Sequence, residues 1–207
     1  FRKDPDKNPL KTPSGKIEIF SNKIKGFKYL NCPPHPTWLE PEEWLGKKNP
    51  IHKFHLLSNQ PREKLHSQYD HGTESKKLKI NDRQAVIINS EDAKKNNLKN
   101  NDIVEVFNNR GACICSVMTS NSLLKGVLII STGAWFDPVQ QIDKKFICNH
   151  GNPNILTPDI GTSDLAQGPS AHSCLVSIKK VKKNTLKKLK VFKPPKIISM
   201  DKIKNNY

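Results

Sequence analysis

The sequence predicts a mainly β domain, a closed six-stranded barrel with a few short helices. Three observations carry that prediction. Short apolar runs rich in Val and Ile recur between Phe54 and Val181, each bounded by Asn, Asp, Ser or Gly. One segment within that span carries the charge order of a short helix, and two of the runs are joined by a tight-turn sequence. Many short strands with few helices over such a span favour closure into a barrel, which removes the exposed strand edges.

The elements follow in order. "KFHLLSN" is a short strand ending in polar residues, and "QAVIIN" is a second. In "SEDAKKNN", Ser90 is placed to cap a helix, with Glu91 and Asp92 in its first turn and Lys94 and Lys95 near its end. That order complements the helix dipole. "DIVEVFNNRGACICSVMT" reads as a hairpin turning through Asn108, Asn109, Arg110 and Gly111. "GVLIIST" is a buried strand and "CLVSIKKV" completes the set. Ahead of the barrel, a Pro-Ser-Gly turn precedes a short strand-like "KIEIF", and "NCPPHPTWLEPEEWLG" sets Trp38 and Trp44 among prolines. We therefore expect residues 1–50 to be an irregular connector from an upstream domain, packing its tryptophans on a neighbour, 51–178 to be the barrel, and 179–207 to be a lysine-rich tail. The chain opens at Phe1 and reads as a piece of something longer.

Composition narrows the function. The hydrophobic share of 35% is within reach of a folded protein. No run approaches the ~18 apolar residues of a membrane helix. Of the net charge of +16, the last 29 residues carry +10, from 11 lysines against one aspartate. The lysines are mixed with Asn and Ile and lack the interleaved aromatics that stack on bases, which argues against a nucleic-acid partner. Five cysteines without a CxxC pair fit neither a disulfide framework nor a zinc site, and read as buried small residues of a reducing compartment. Cys113 and Cys115, two apart in a strand, share one of its faces.

Polar segments flank the strands, two following an apolar run and the longest just preceding one. "SNQPREKLHSQ", "STGAWFDP" and the long "HGNPNILTPDIGTSDLAQGPSAH" offer Ser58, Asn59, Gln60, Arg62, His66, Ser67, Asn154, Ser163, Gln167 and His172. Loops at strand ends are where such folds hold ligands. Amides and hydroxyls with few charges suit a heteroatom-rich ligand such as a nucleotide or a pterin. Gly151, Gly161 and Gly168 would let backbone N–H groups approach phosphate. Arg62 is either a phosphate clamp or a solvated charge, and His66 and His172 are hydrogen-bonding groups ahead of general acids. Neither a GxGxxG nor a GxxxxGK[ST] loop is present, and no HExxH, carboxylate cluster or nucleophile triad points to a metal ligand or a catalytic residue.

The same residues carry a resemblance. "PLKTPSGKIEIFS", "LLSNQPREKLHSQYDHG", "NSEDAKKNNLKNNDIVEVFNNRGAC", "GVLIISTGAWFDP" and "HGNPNILTPDIGTSDLAQGPSAH" together resemble, in this order, the C-terminal part of the molybdenum S- and N-oxide reductases. That family includes dimethyl sulfoxide, trimethylamine N-oxide and biotin sulfoxide reductases. "HGNPN" and "NCPPHPTW" look closest to the latter two, and the tail's "LKVFKPPK" also resembles the family's terminus. The resemblance implies a double-psi β-barrel that caps a bis(molybdopterin guanine dinucleotide) molybdenum cofactor. It implies cofactor contacts from Gln60 and His66, with Ser58, Asn59, Arg62 and Ser67 beside them, from Asn154, and from Gln167 and His172 in a segment closing over the pterin.

Family members run to several hundred residues, so the molybdenum ligand and the substrate pocket would lie upstream of Phe1, and no metal ligand is assigned here. The expected function is the cofactor-binding part of an oxidoreductase that removes oxygen from a sulfoxide or amine N-oxide, inactive as a separate piece. The expected partners are the upstream domains and the pterin cofactor, with an external electron-donor protein left open, and without nucleic acid or a membrane span. Both cytoplasm and periplasm fit the family, and the unpaired cysteines lean toward the cytoplasm. The alternatives are a free-standing pterin-cofactor-binding module without catalysis and a basic nucleic-acid-binding protein.

Overall fold

The computed structural model describes residues 1–140, 146–186 and 189–193, so the "KPPK" prolines and the rest of the expected tail beyond Lys193 lie outside the described residues. The chain forms two compact units, one of residues 1–42 and 159–170, the other of residues 43–158 and the chain from Ala171 onward. In chain order the elements are α1 (Asn22–Phe27), β1 (Phe54–Leu57), α2 (Thr73–Lys77), β2 (Ala85–Asn89), α3 (Ser90–Lys95), β3 (Ile103–Phe107), β4 (Ala112–Ser120), β5 (Val127–Ile129), β6 (Pro138–Gln140), β7 (Phe146–Cys148), β8 (Leu175–Lys180) and α4 (Lys183–Leu186).

In the larger unit the strands hydrogen-bond in the order β2-β5-β1-β8-β3-β4, and β4 pairs back onto β2 to close a six-stranded ring. Two parallel pairings, β1 with β5 and β2 with β4, are set among antiparallel ones. This mixed order is that of a double-psi barrel. Strand β4 is long enough to serve three neighbours: Ala112 and Cys113 meet β7, Ser116 to Ser120 meet β2, and β3 lies along its first half. The expected hairpin is β3–β4, in register from Ile103↔Ser116 to Phe107↔Ala112.

Leu56, Val86, Ile88, Val104, Val106, Cys113, Cys115, Val117, Leu128 and Val176 pack inside the ring. Full burial of a side chain such as Leu56 contributes about 1.5–3 kcal/mol. Strand β3 alternates as a half-buried strand should, with Val104 and Val106 inward. The first six residues of β4 are buried on both faces, because Ala112 and Ile114 pack outward against Ile147, Val181 and Leu189. That second layer explains why "ACICSV" is buried at every position, with the hydroxyl of Ser116 donating to Ile80 O.

Several expectations are corrected. "KIEIF" is not a strand: no described strand pairs with residues 16–20, and Ile17 and Ile19 are exposed. Alternation alone cannot hold a strand that lacks a partner for its backbone. The cap of α3 is Asn89, whose Oδ1 accepts from Glu91 N, so Ser90 is the first helical residue. Strands β6 and β7 and helices α1, α2 and α4 were not foreseen. They are three to six residues long, too short for a periodic signal.

Candidate cofactor-binding loops

The parallel pairing of β1 and β5 sends both strands to the same end of the barrel, in the register Leu57↔Ile129. The loops that follow run on side by side. Ile130 N donates to Leu57 O (3.0 Å), Thr132 N to Asn59 O (3.0 Å), and Ser131 Oγ to Asn59 Oδ1 (3.0 Å). Thr132 Oγ1 donates to Gln60 Oε1, while Gln60 Nε2 turns back to Lys64 O at 2.6 Å. Gly133 (φ +90°) lies so close to His66 that a Cβ there would fall 1.8 Å from His66 O, which makes glycine the one residue that fits. Trp135 Nε1 donates to Ser67 O at 2.8 Å. A third loop joins them, since Asn152 caps the short 3-10 turn Pro153–Ile155 and its Nδ2 donates to Ala134 O at 2.7 Å.

Beneath these loops lies a buried group of charges. The fully buried carboxylate of Asp70 accepts from Lys64 Nζ (2.8 Å), Lys79 Nζ (2.9 Å) and the Trp135 amide (3.0 Å). Lys64 Nζ also donates to Gln84 Oε1 at 3.0 Å, and Lys79 Nζ is hydrogen-bonded to His150 Nε2. Burial alone would raise the Asp70 pKa, but the two ammonium donors and the Trp135 amide outweigh it and bring it down to about 2. His150 is pushed down to about 4, first by burial and then by the Lys79 charge. His71, lowered by burial and by Lys79, stands edge-on to Trp135 at 4.6 Å between ring centres. Asp70, His71 and His150 bring three metal-ligating atoms within 4.8 Å of one another. The Lys79 ammonium already bonds two of those three residues, so the cation of this cluster is a lysine.

A cleft of about 360 Å³ opens beside the cluster, with Asn59, Gln60, Arg62, Lys64, Gln84 and Ser131 in its wall. Of the residues expected from sequence, Asn59, Gln60 and Arg62 therefore share one cleft. Ser58 is half-buried at the end of β1, and His66 and Ser67 stand exposed on the next turn, with His66 in the left-handed region (φ +49°). Asn154 is exposed on the 3-10 turn tied to Ala134. His172 is also exposed, and no bond among the described residues links it to these loops. Gln167 belongs to the smaller unit, where its Nε2 donates to Ser163 O at 2.7 Å and its side chain covers Gly161. Gly151 is buried, its missing Cβ leaving room for Gln84 and Cys115, so its role is packing.

Sequence reasoning missed Lys64, Asp70, Lys79, Gln84 and His150. Charged residues in a polar stretch look solvated, and only the pairing of distant segments reveals that they are buried. The loop "STGAWFDP" was flagged by its position after a strand, although its partners were not.

A third set of contacts shapes the approach to Asn154. Arg110 grips the Glu43 carboxylate with two nitrogens (2.5 and 3.0 Å), and its Nε donates to Leu156 O at 2.6 Å. Burial would raise the Glu43 pKa, but the hydrogen bonds from Arg110 and from the Leu175 amide lower it. The buried Asn108 amide donates to Leu156 O (2.7 Å) and Leu175 O (3.3 Å), so the hairpin turn holds the loop by its backbone.

This arrangement can do certain things chemically. It presents amides, hydroxyls and an arginine at one end of a rigid barrel, over a buried base that carries surplus positive charge. It suits binding of a polar, anionic ligand, and no nucleophile–base pair lies among the residues that line the cleft.

Comparison with known proteins accords with this. The family model described as the molydopterin dinucleotide binding domain matches residues 54–175. The trimethylamine-N-oxide reductase of Haemophilus influenzae is 40% identical over 200 residues, covering 96% of this chain and 24% of that protein. The biotin sulfoxide reductase of Cereibacter sphaeroides is 42% identical over 178 residues, 86% of this chain and 23% of that one. The chain thus spans about a quarter of the length of these relatives. Among solved structures, acetylene hydratase from Pelobacter acetylenicus superposes with a TM-score of 0.62 over 84% of this chain and 24% of its own, at 18% identity, a likeness of fold. Barrel closure, the shared cleft at its loop end and the match over 54–175 place the chain in the molydopterin dinucleotide binding domain family.

Proposed function

We propose that this chain is the C-terminal cofactor-binding part of a molybdenum-dependent S-oxide or N-oxide reductase, holding a bis(molybdopterin guanine dinucleotide) cofactor for two-electron removal of oxygen from a sulfoxide or amine N-oxide. The observation that carries the reading is 40% identity to a trimethylamine-N-oxide reductase over 96% of this chain. In this reading residues 1–50 connect to upstream domains, 51–178 form the binding barrel and 179–207 are a tail. The upstream domains supply the metal ligand and the substrate pocket.

The residues present fit such a cofactor. Arg62, His66, Asn154 and His172 are exposed, and among the described residues their side chains have no hydrogen-bonding partner. Asn59, Gln60 and Arg62 would hold the nucleotide by amide pairing and phosphate contact, with Ser58, His66, Ser67 and Asn154 around them. Gln167 and His172 would close over the pterin. When bound, the cofactor supplies the oxygen-atom and electron chemistry. The chain's part is to bind, orient and exclude water. Four buried free thiols, Cys113, Cys115, Cys148 and Cys174, support a cytoplasmic rather than a periplasmic setting. Among the described residues no helix is long and apolar enough to cross a membrane.

The test is the metal and guanine content of the native protein that carries this segment. About one molybdenum and two guanines per chain are expected, and a native protein without either overturns the reading. The isolated 207 residues should not reduce an oxide with a reduced dye.

A further inference from the structure

We propose that Asp70 is the positioning residue of the candidate site, holding the turn that carries His66 and Ser67 in place against the Ser131–Trp135 loop. The inference deepens the function proposed above, because it concerns how the same loops are set.

Both loops are anchored on the one carboxylate. From the first loop, Lys64 reaches Asp70 Oδ1 at 2.8 Å, and the Lys64 carbonyl in turn receives Gln60 Nε2. From the second, the Trp135 amide reaches Asp70 Oδ2 at 3.0 Å, and the Trp135 indole reaches back to Ser67 O. Between these anchors the backbone is bent against its preference. His66 (φ +49°) and Tyr69 (φ +63°) are both left-handed, and the Gln68 amide closes the turn on Leu65 O at 2.9 Å. Non-glycine residues keep such angles where their surroundings impose them, and here the turn is pinned by Gly133 on one side and Asp70 beneath. Side chains that touch a ligand act only when supporting bonds fix their geometry. Asp70 itself is fully buried and would touch no ligand.

Removal of Asp70 alone strands two buried ammonium groups, so the test uses a charge-matched variant. Wild type sets Lys64 and Lys79 against one carboxylate, leaving one positive charge in surplus. The double variant Asp70→Asn/Lys79→Met also leaves one, on Lys64, while the two-loop anchor is gone. Two readouts are taken on the 207-residue chain. Amide hydrogen exchange should quicken about tenfold or more at Gln68 while the Leu56 amide, bonded to Cys174 O inside the barrel, keeps its protection. GDP, the probe for the nucleotide, should bind about tenfold more weakly, the usual loss when supporting contacts behind a site go. Asp70→Glu, which keeps the charge and moves the carboxylate by one carbon, should change both readouts in the same direction if the double variant fails to fold. Unchanged Gln68 exchange in a folded variant overturns the proposal. Wild-type chain that binds no GDP, yet shows the Gln68 change, counts against the nucleotide reading and supports the positioning role of Asp70.

Discussion

The two units of this chain bury their side chains to opposite degrees. In the larger unit Leu56, Val86, Ile88, Val104, Val106 and Val117 are fully enclosed by the closed ring. In the smaller unit, residues 1–42 and 159–170, no residue is buried, and Ile17, Ile19 and Leu30 are 70%, 74% and 96% exposed. Local bonds hold the smaller unit together: Ser21 caps α1, Leu10 N meets Gly15 O, and Thr162 N meets Gly168 O. The difference teaches that hydrogen-bonded turns can define a path, while area removed from water defines a stable unit. It also locates the candidate chemistry, since the convergent loops grow from the unit that can hold them rigidly.

The sharpest challenge to a purely apolar account of the larger unit is Asp70→Asn. Breaking a buried ion pair from one side leaves charge uncompensated, and here two ammonium groups lose their shared partner. We expect a loss of about 3–5 kcal/mol in denaturant unfolding. A loss under about 1 kcal/mol would mean that the lysines reach water.

The same cluster predicts a pH dependence of definite sign. His150 titrates in the folded state near 4, below its ordinary 6.5, so the unfolded chain binds the proton first as pH falls. Stability is therefore full above pH 6.5 and lost between about 6.5 and 4, on the order of 3 kcal/mol. Asp70, at about 2 against its ordinary 3.8, adds a second loss between those values, about 2–3 kcal/mol. His150→Gln should shrink the upper window, to which the lowered His71, His52 and His55 also contribute, and leave the lower one, as read from unfolding free energy against pH.

Leu56→Ala tests the core directly. Its side chain is fully buried, and such truncations cost about 2–5 kcal/mol, scaling with the cavity left behind. Asn108→Ala comes next. It removes the amide that holds Leu156 O and Leu175 O beneath the hairpin, for about 1–3 kcal/mol by thermal or denaturant melt. It should also loosen the loop that presents Asn154.

Part of this was legible in the sequence. The β3–β4 hairpin announced itself through "NNRG" between two β-branched runs, and Cys113 and Cys115 do share a face, their sulfurs 3.7 Å apart. The convergence of "SNQPREKLHSQ" and "STGAWFDP" followed from both ending strands. What pattern could not show was which strands pair in parallel, because that depends on contacts far apart in sequence. For the same reason it could not show that the side chains of Asp70 and Lys79 are buried while their neighbours Tyr69 and Leu78 are exposed. "KIEIF" alternates as a strand would, but no described strand pairs with its backbone. The short strands β6 and β7 exist because β4 offers its edge.

The smallest effect expected is the one most able to break the comparison. Ile19→Ala removes three carbons from a side chain that is 74% exposed and lies in a unit without a buried residue. Little apolar area returns to water, and no cavity is left, so the change should stay within about 0.5 kcal/mol in denaturant unfolding. Set beside Leu56→Ala, the ratio of the two losses measures how far the units differ. A cost for Ile19→Ala approaching that of Leu56→Ala would mean that Ile19 is covered in solution. The contrast between a closed, buried barrel and an open, turn-held segment would then fail at the point where it is drawn most strongly.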